Sequence, residues 1–141
     1  MAGTTAGIDP RLIAFVLPSI PESVPMARFH VRAALSLHGL DHYANDAAAI
    51  TSELVTNVVQ HVCGDGTETV GVTLERTQNP EAVTVVVSDS SPDGPAMHEA
   101  SADSERGRGL RIVAALSAHW GWHPEENGKA IFATLAREAG A

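Results

Sequence analysis

The chain has 141 residues, 44% of them hydrophobic and 18% charged, with a net charge of −8. That length and composition fit a single soluble globular domain with a core of its own. They exclude a duplex nucleic-acid partner, which needs a basic footprint, and no apolar run reaches the ~20 residues of a membrane span.

Residues 1–10 read as a disordered tail. "MAGTTAGIDP" lacks the basic and apolar regions of a signal peptide, so a cytoplasmic location is expected. The single ordered domain then runs over 11–141. "RLIAFVLP" predicts a short strand ended by Pro18. "SVPMARFHVRAALSLHGL" predicts a helix capped by Ser23, with Pro25 tolerated in its first turn and Gly39 closing it. Its apolar stripe is Val24, Ala27, Val31, Ala34 and Leu35. A second helix is predicted from about Tyr43 to Val62, with Ile50, Leu54 and Val58 as its core line and "CGDG" (63–66) as its stop. The one cysteine, Cys63, can form neither an internal disulfide nor a cysteine-rich zinc site and is expected as a buried thiol.

Two strands follow. "TVGVTLER" puts Val70, Val72 and Leu74 on one face, and "AVTVVVSD" does the same with Val83, Val85 and Val87, with Asp89 next in phase. "QNPE" joins them as a hairpin turn. Ser90 to Arg108 shows no periodicity and is rich in Ser, Pro, Gly and Asp, the composition of a functional loop. "GLRIVAALSAHW" predicts a third helix with Leu110, Val113, Ala114 and Leu116 as its apolar positions. "WGWHPEENGKAIFATLA" predicts a closing hairpin with Gly128 at the turn and a last strand over Ile131 to Leu135. The order βααββ-loop-αββ gives an α+β fold, a two-layer α/β sandwich with helices on one face of a mostly antiparallel sheet.

Three constellations carry chemistry. Glu53, Asn57 and His61 recur every fourth residue and form a row beside the apolar line of the second helix. Asn57 offers a hard amide oxygen suited to Mg²⁺, and Glu53, one turn earlier, could accept a proton from an attacking hydroxyl. Alone, such a row is ordinarily a solvated helix face, and His61 a packing or helix-end histidine. Asp89, in phase with the valines, brings a carboxylate to the buried side of a sheet end, where it needs a donor. An exocyclic amino group in an apolar pocket would supply one, with Gly94 allowing close approach; a turn-capping role is the plainer alternative. Third, Gly107 and Gly109 precede a helix whose free N–H groups suit phosphate. Arg106, Arg108 and Arg111 concentrate positive charge there in an acidic chain. A lone G-x-G is also a plain hinge, and neither a P-loop nor a Rossmann fingerprint is present.

In this order the motifs resemble those of the GHKL superfamily, the ATP-binding domain shared by gyrase-type topoisomerases, heat-shock chaperones and sensor histidine kinases. "SELVTNVVQH" is similar to its N box, "VSDSSPDGP" to its G1 box and "RGRGLRIV" to its G2 box. The likeness covers about Ser52 to Leu135 and looks strongest to the small domains related to anti-sigma-factor serine kinases, common in actinobacteria. It implies a Bergerat-type ATP-binding fold with ATP and Mg²⁺ as ligands. It implies that Asn57 coordinates Mg²⁺, that Glu53 is the general base or orients the nucleophile, and that Asp89 accepts a hydrogen bond from the adenine amino group. Gly94 would lie against the adenine. Arg106, Gly107, Arg108 and Gly109 would line the triphosphate, with Leu110 starting the helix beneath it, and 90–106 would be the ATP lid.

The chain departs from the pattern in two places. No D-x-G-x-G follows Asp89, since Ser91 stands two residues on. Lys129 follows Gly128 where many relatives have threonine, and could face solvent or reach a phosphate, leaving adenine held differently. No helical hairpin with a phosphoacceptor histidine precedes the N box, so an autophosphorylating sensor kinase is not expected; His30, His38 and His42 read as surface or packing residues. The activity implied is transfer of the ATP γ-phosphoryl to a serine or threonine of a small antagonist protein, together with sequestration of a sigma factor. The alternative is a nucleotide-responsive protein-binding module of the same fold. A homodimer could use the Val24–Leu35 stripe.

Overall fold

The structure is a computed structural model that describes residues 10–61, 68–78, 80–89, 105–126 and 128–136, with the side chains of 105–109 excluded. The expectations for the tail up to residue 9, for Cys63, for Gly94 and for most of the 90–106 lid lie outside those residues.

Strand β1 (Arg11–Pro18) is followed by helix α1 (Ser23–Leu37), a single 3₁₀ turn (Asp41–Tyr43) and helix α2 (Ala44–His61). Then come β2 (Thr69–Gln78), β3 (Glu81–Asp89), helix α3 (Glu105–Leu116), β4 (His119–Glu125) and β5 (Gly128–Ala136). The five strands form one sheet in the order β1-β2-β3-β5-β4, and every adjacent pair is antiparallel. The α+β, two-layer architecture expected from the sequence is the one observed.

The period-two pattern explains the layers. Val70, Val72 and Leu74 of β2, Val83, Val85 and Val87 of β3, and Ile131, Ala133 and Leu135 of β5 are all buried on one face. The helices cover that face. Ala27, Val31, Ala34 and Leu35 of α1 and Ile50, Leu54, Val55 and Val58 of α2 belong to the same core cluster. The Val24–Leu35 stripe therefore serves this chain's own core. The outward apolar residues of α1 are Met26, Phe29 and Leu37.

Helix ends show where local chemistry acts. Ser23 does not cap α1; it is the first helical residue, and its hydroxyl donates to the Pro18 carbonyl at 2.6 Å, fixing the turn out of β1. The far end follows the expectation. Gly39 takes φ +70°, Leu40 N–H donates to Leu35 O at 2.8 Å and Gly39 N–H to Ser36 O at 3.2 Å, which is the Schellman pattern.

The third helix differs from expectation at both ends. It begins at Glu105, so Arg106, Gly107, Arg108 and Gly109 lie within its first turns and not in a loop before it. Glycines disfavour a helix by about 1 kcal/mol each, but packing of Leu110 and Val113 into the core, at 3% and 0% exposure, carries it. Ala114 is exposed, and Leu116 is half-buried against the core. The helix stops at Leu116 because Ala118 N–H donates to Thr134 O at 2.7 Å, starting the β4–β5 ladder at His119.

Candidate functional site

The site is positioned by the direction of each element. Tyr43 Oη donates to Glu81 Oε1 at 2.9 Å, and His42 Nε2 lies 3.1 Å from the same carboxylate. The start of α2 is thereby tied to the start of β3. From there α2 runs 18 residues, about 27 Å, and β3 runs 9 residues, about 27 Å. Packed on β3, α2 carries Asn57 about 20 Å along, toward the Asp89 end. The helix α3 packs on α2 and ends beside Thr134, which pairs with Thr84. Its 12 residues span about 18 Å, close to the about 17 Å from Thr84 to Asp89. Its N-terminal turns therefore reach the level of Asp89. These anchor points and lengths are consistent with the three motifs lying toward one end of the helix-covered face.

The polar row on α2 divides. Asn57 is buried at 7% exposure, Glu53 is half-buried one turn before it, and His61 is exposed at the last turn. A uniformly solvated face is thus not what this row is. Among the described residues, Asn57 Oδ1 is buried without a hydrogen-bond donor. An acceptor left so costs about 1–3 kcal/mol, a cost that a donor or cation from outside the chain would relieve; Ser19 Oγ and Arg76 Nε are buried without a partner as well. A hard cation that keeps part of its water shell fits an amide oxygen of this kind. Two other histidines make packing contacts: His38 Nδ1 sits 2.9 Å from Ala34 O, and the His30 ring packs on Phe15 at 5.0 Å.

Asp89 points where the alternation predicted, and one of its carboxylate oxygens has an ionic partner. It lies opposite Lys129 in the β3–β5 register. Lys129 Nζ is 2.8 Å from Asp89 Oδ2, and the two side chains are 3% and 2% exposed. Lys129 therefore neither faces solvent nor reaches away toward a phosphate here; it neutralises the carboxylate. Desolvating two charges is costly unless each compensates the other. Lys129 is the residue whose role the sequence reading missed. The signal was available: position 129 is in phase with Ile131, Ala133 and Leu135, so its side chain starts on the buried face.

Of the remaining residues, Leu110 is buried beneath the start of α3. Arg106, Gly107, Arg108 and Gly109 are placed as helical backbone only. A groove of about 360 Å³ opens at the same sheet end, lined by Val16, Thr69, Gly71, Ser88, Asp89, Glu125, Glu126 and Gly128. Among the described residues, no cluster of His, Cys, Asp and Glu could hold a metal by itself, and no helix is long and apolar enough to cross a membrane.

Residues 17–135 match the family described as Histidine kinase-like ATPase domain. Among solved structures, the chain is similar to the crystal structure of the RsbU and RsbW domains of Rv1364c from Mycobacterium tuberculosis. The TM-score is 0.61 at 18% identity, over 88% of this chain and 32% of that one. The chain thus spans about a third of that structure, and the likeness is one of fold. No curated protein matches the chain.

Proposed function

The chain belongs to the histidine kinase-like ATPase domain family, and from that premise we propose that it binds Mg-ATP and passes the γ-phosphoryl to a serine or threonine of a small antagonist protein. Its second activity in this reading is to sequester a sigma factor according to the nucleotide it holds. The observation that carries the proposal is the buried Oδ1 of Asn57, which has no hydrogen-bond partner among the described residues. Support for the protein partners is more general: the motif resemblance to anti-sigma-factor kinases and a fold shared with a structure that contains an RsbW domain.

In this reading Asn57 holds the cation through its side-chain oxygen. The cation would neutralise phosphate charge, which is most of what phosphoryl transfer asks of a protein. Arg106, Gly107, Arg108, Gly109 and Leu110 line the phosphates from the start of α3, and Gly94 lies against the base. Glu53 takes the proton from the acceptor hydroxyl as its oxygen bonds the γ-phosphorus and the bond to the β-phosphate oxygen breaks, leaving ADP. Titration with ATP, with and without Mg²⁺, tests the site: Asn57→Ala should abolish magnesium-dependent binding, and an unaltered affinity would remove Asn57 from the site. Glu53→Gln should keep binding and lose transfer of labelled phosphate to a partner; unchanged transfer would rule out Glu53 as base.

A second reading is a nucleotide-responsive protein-binding module of the same fold without transfer. Tight nucleotide binding with no phosphorylated serine or threonine on any candidate partner would select it.

A further inference from the structure

We propose that edge strand β1 and the outward flank of α1 form a face that takes a second copy of this chain, the two β1 strands meeting antiparallel across a two-fold axis. The proposal is independent of the nucleotide-binding reading above. Helix α1 carries two apolar lines. Ala27, Val31, Ala34 and Leu35 fill the core. Met26, Phe29, Ala33 and Leu37 recur at the three- and four-residue spacing of a second seam. Of these, Met26, Phe29 and Leu37 are 48%, 67% and 83% exposed. This flank stands beside β1: the His30 ring lies 5.0 Å from the Phe15 ring and 5.7 Å from the Phe29 ring. Val16 on the same strand is 66% exposed.

The two edges of the sheet are built differently. Edge strands are ordinarily blunted by charge, proline or a bulge. β4 has His119, His123, Pro124 and Glu125 along its length. On β1 the bulge stands between Arg11 and Ile13, and the proline is the last residue, Pro18. Ile13 to Leu17 are left uncharged, with no strand on their outer side among the described residues. Charge selects the occupant. The chain carries −8, so two copies repel unless they meet where acid is absent. α1 contains no Asp or Glu. Its Arg28 and Arg32 turn toward α2, donating to Ser52 Oγ at 2.9 Å and to Asn45 Oδ1 at 3.0 Å. A second copy therefore sets apolar surface on apolar surface with no like charges opposed. Two β1 strands related by a two-fold axis are antiparallel and satisfy each other's free backbone groups. The face measures roughly 26 Å along the strand by about 15 Å through sheet edge and helix, or about 400 Å² a copy. That is the small end of specific interfaces, so the dimer is reversible, with a dissociation constant on the order of micromolar.

The test is sedimentation velocity of the intact protein, without nucleotide, from about 1 to about 100 µM. A monomer–dimer equilibrium is expected. Phe29→Glu, Leu37→Glu and Val16→Lys should each weaken it by about tenfold or more. The three side chains are 67%, 83% and 66% exposed in the single chain, so the substitutions leave its fold in place, which circular dichroism checks. Ile112→Glu is on α3, which packs on α2 and β4, and should leave the constant unchanged. Hydrogen exchange on the same samples locates the contact. Raising the concentration should slow the β1 amides and leave those of β4 as they are in the monomer. A wild type monomeric throughout overturns the proposal, as does a dimer whose constant none of the three variants moves. Slowing confined to β4 overturns it too. A different protein that slows the β1 amides of a chain which never dimerises would make this face that partner's and not a copy's.

Discussion

Two buried polar side chains at one sheet end obey opposite logic. Asn57 Oδ1 has no donor among the described residues, so replacing the side chain with an apolar one of similar volume removes a penalty. Asn57→Leu should raise the ligand-free stability by about 1 kcal/mol while abolishing magnesium-dependent nucleotide binding. Urea denaturation and titration on the same protein read the two effects. A destabilised Asn57→Leu would mean that the amide is held by contacts inside the chain and is not kept for a ligand. Lys129 is the reverse case. Its charge is compensated by Asp89 at 2.8 Å, so Lys129→Met removes the counter-charge of a buried carboxylate and should cost about 3 kcal/mol. Adding Asp89→Leu to that variant should restore most of the loss, because exchanging a buried pair for apolar volume is close to neutral. A double-mutant cycle in chemical denaturation measures the coupling; additive effects would show the pair to be energetically idle.

Helix ends decide how elements are joined, and the end of α1 gives the cleanest case. Gly39 has φ +70° with nothing within 4 Å of the place a Cβ would occupy. Gly39→Ala therefore meets no clash and pays only the left-handed backbone penalty, about 1 kcal/mol. Its thermal midpoint should fall by several degrees with the denaturant m-value unchanged; a larger loss would mean that the turn into Asp41–Tyr43 had been displaced. This cap was legible in the sequence because a glycine after an apolar stripe has one common use. The strand faces were legible for a similar reason: Val83, Val85 and Val87 alternate without exception. The Ser23 cap was not, because a serine hydroxyl suits many acceptors and here finds Pro18 O at 2.6 Å. The start of α3 was obscured because the propensity of Gly107 and Gly109 points away from helix, and packing of Leu110 and Val113 reverses it. At the candidate site, spacing placed Asn57 beside the apolar line of α2 and phase placed the Asp89 side chain on the buried face, while their roles were implied only by the motif resemblance. The ion pair on Asp89 was not, since it depends on which residue of β5 faces β3, a register that local sequence does not state.

The whole molecule is organised around β3. It is the middle strand, paired along its length with β2 on one side and β5 on the other, and its Val83, Val85 and Val87 are at most 1% exposed beneath the helices. β1 and β4 are the edges, and their outer sides lack a strand partner among the described residues. Val16 on β1 is 66% exposed and Trp122 on β4 is 41% exposed. A protein built this way opens from its rims inward. Native-state hydrogen exchange should find the amides of β3 among the slowest, exchanging only through global unfolding, with β1 and β4 opening at lower free energy. Because Asp89 and Lys129 join β3 to β5 at the site end, breaking their pair acts on the central ladder and not on a rim. Lys129→Met should therefore lower the protection of β3 and β5 amides by the same free energy that denaturation reports. If β3 stays at its original protection while only the Gly128 turn loosens, the ion pair is a local clasp on the hairpin, and the sheet's stability is set elsewhere.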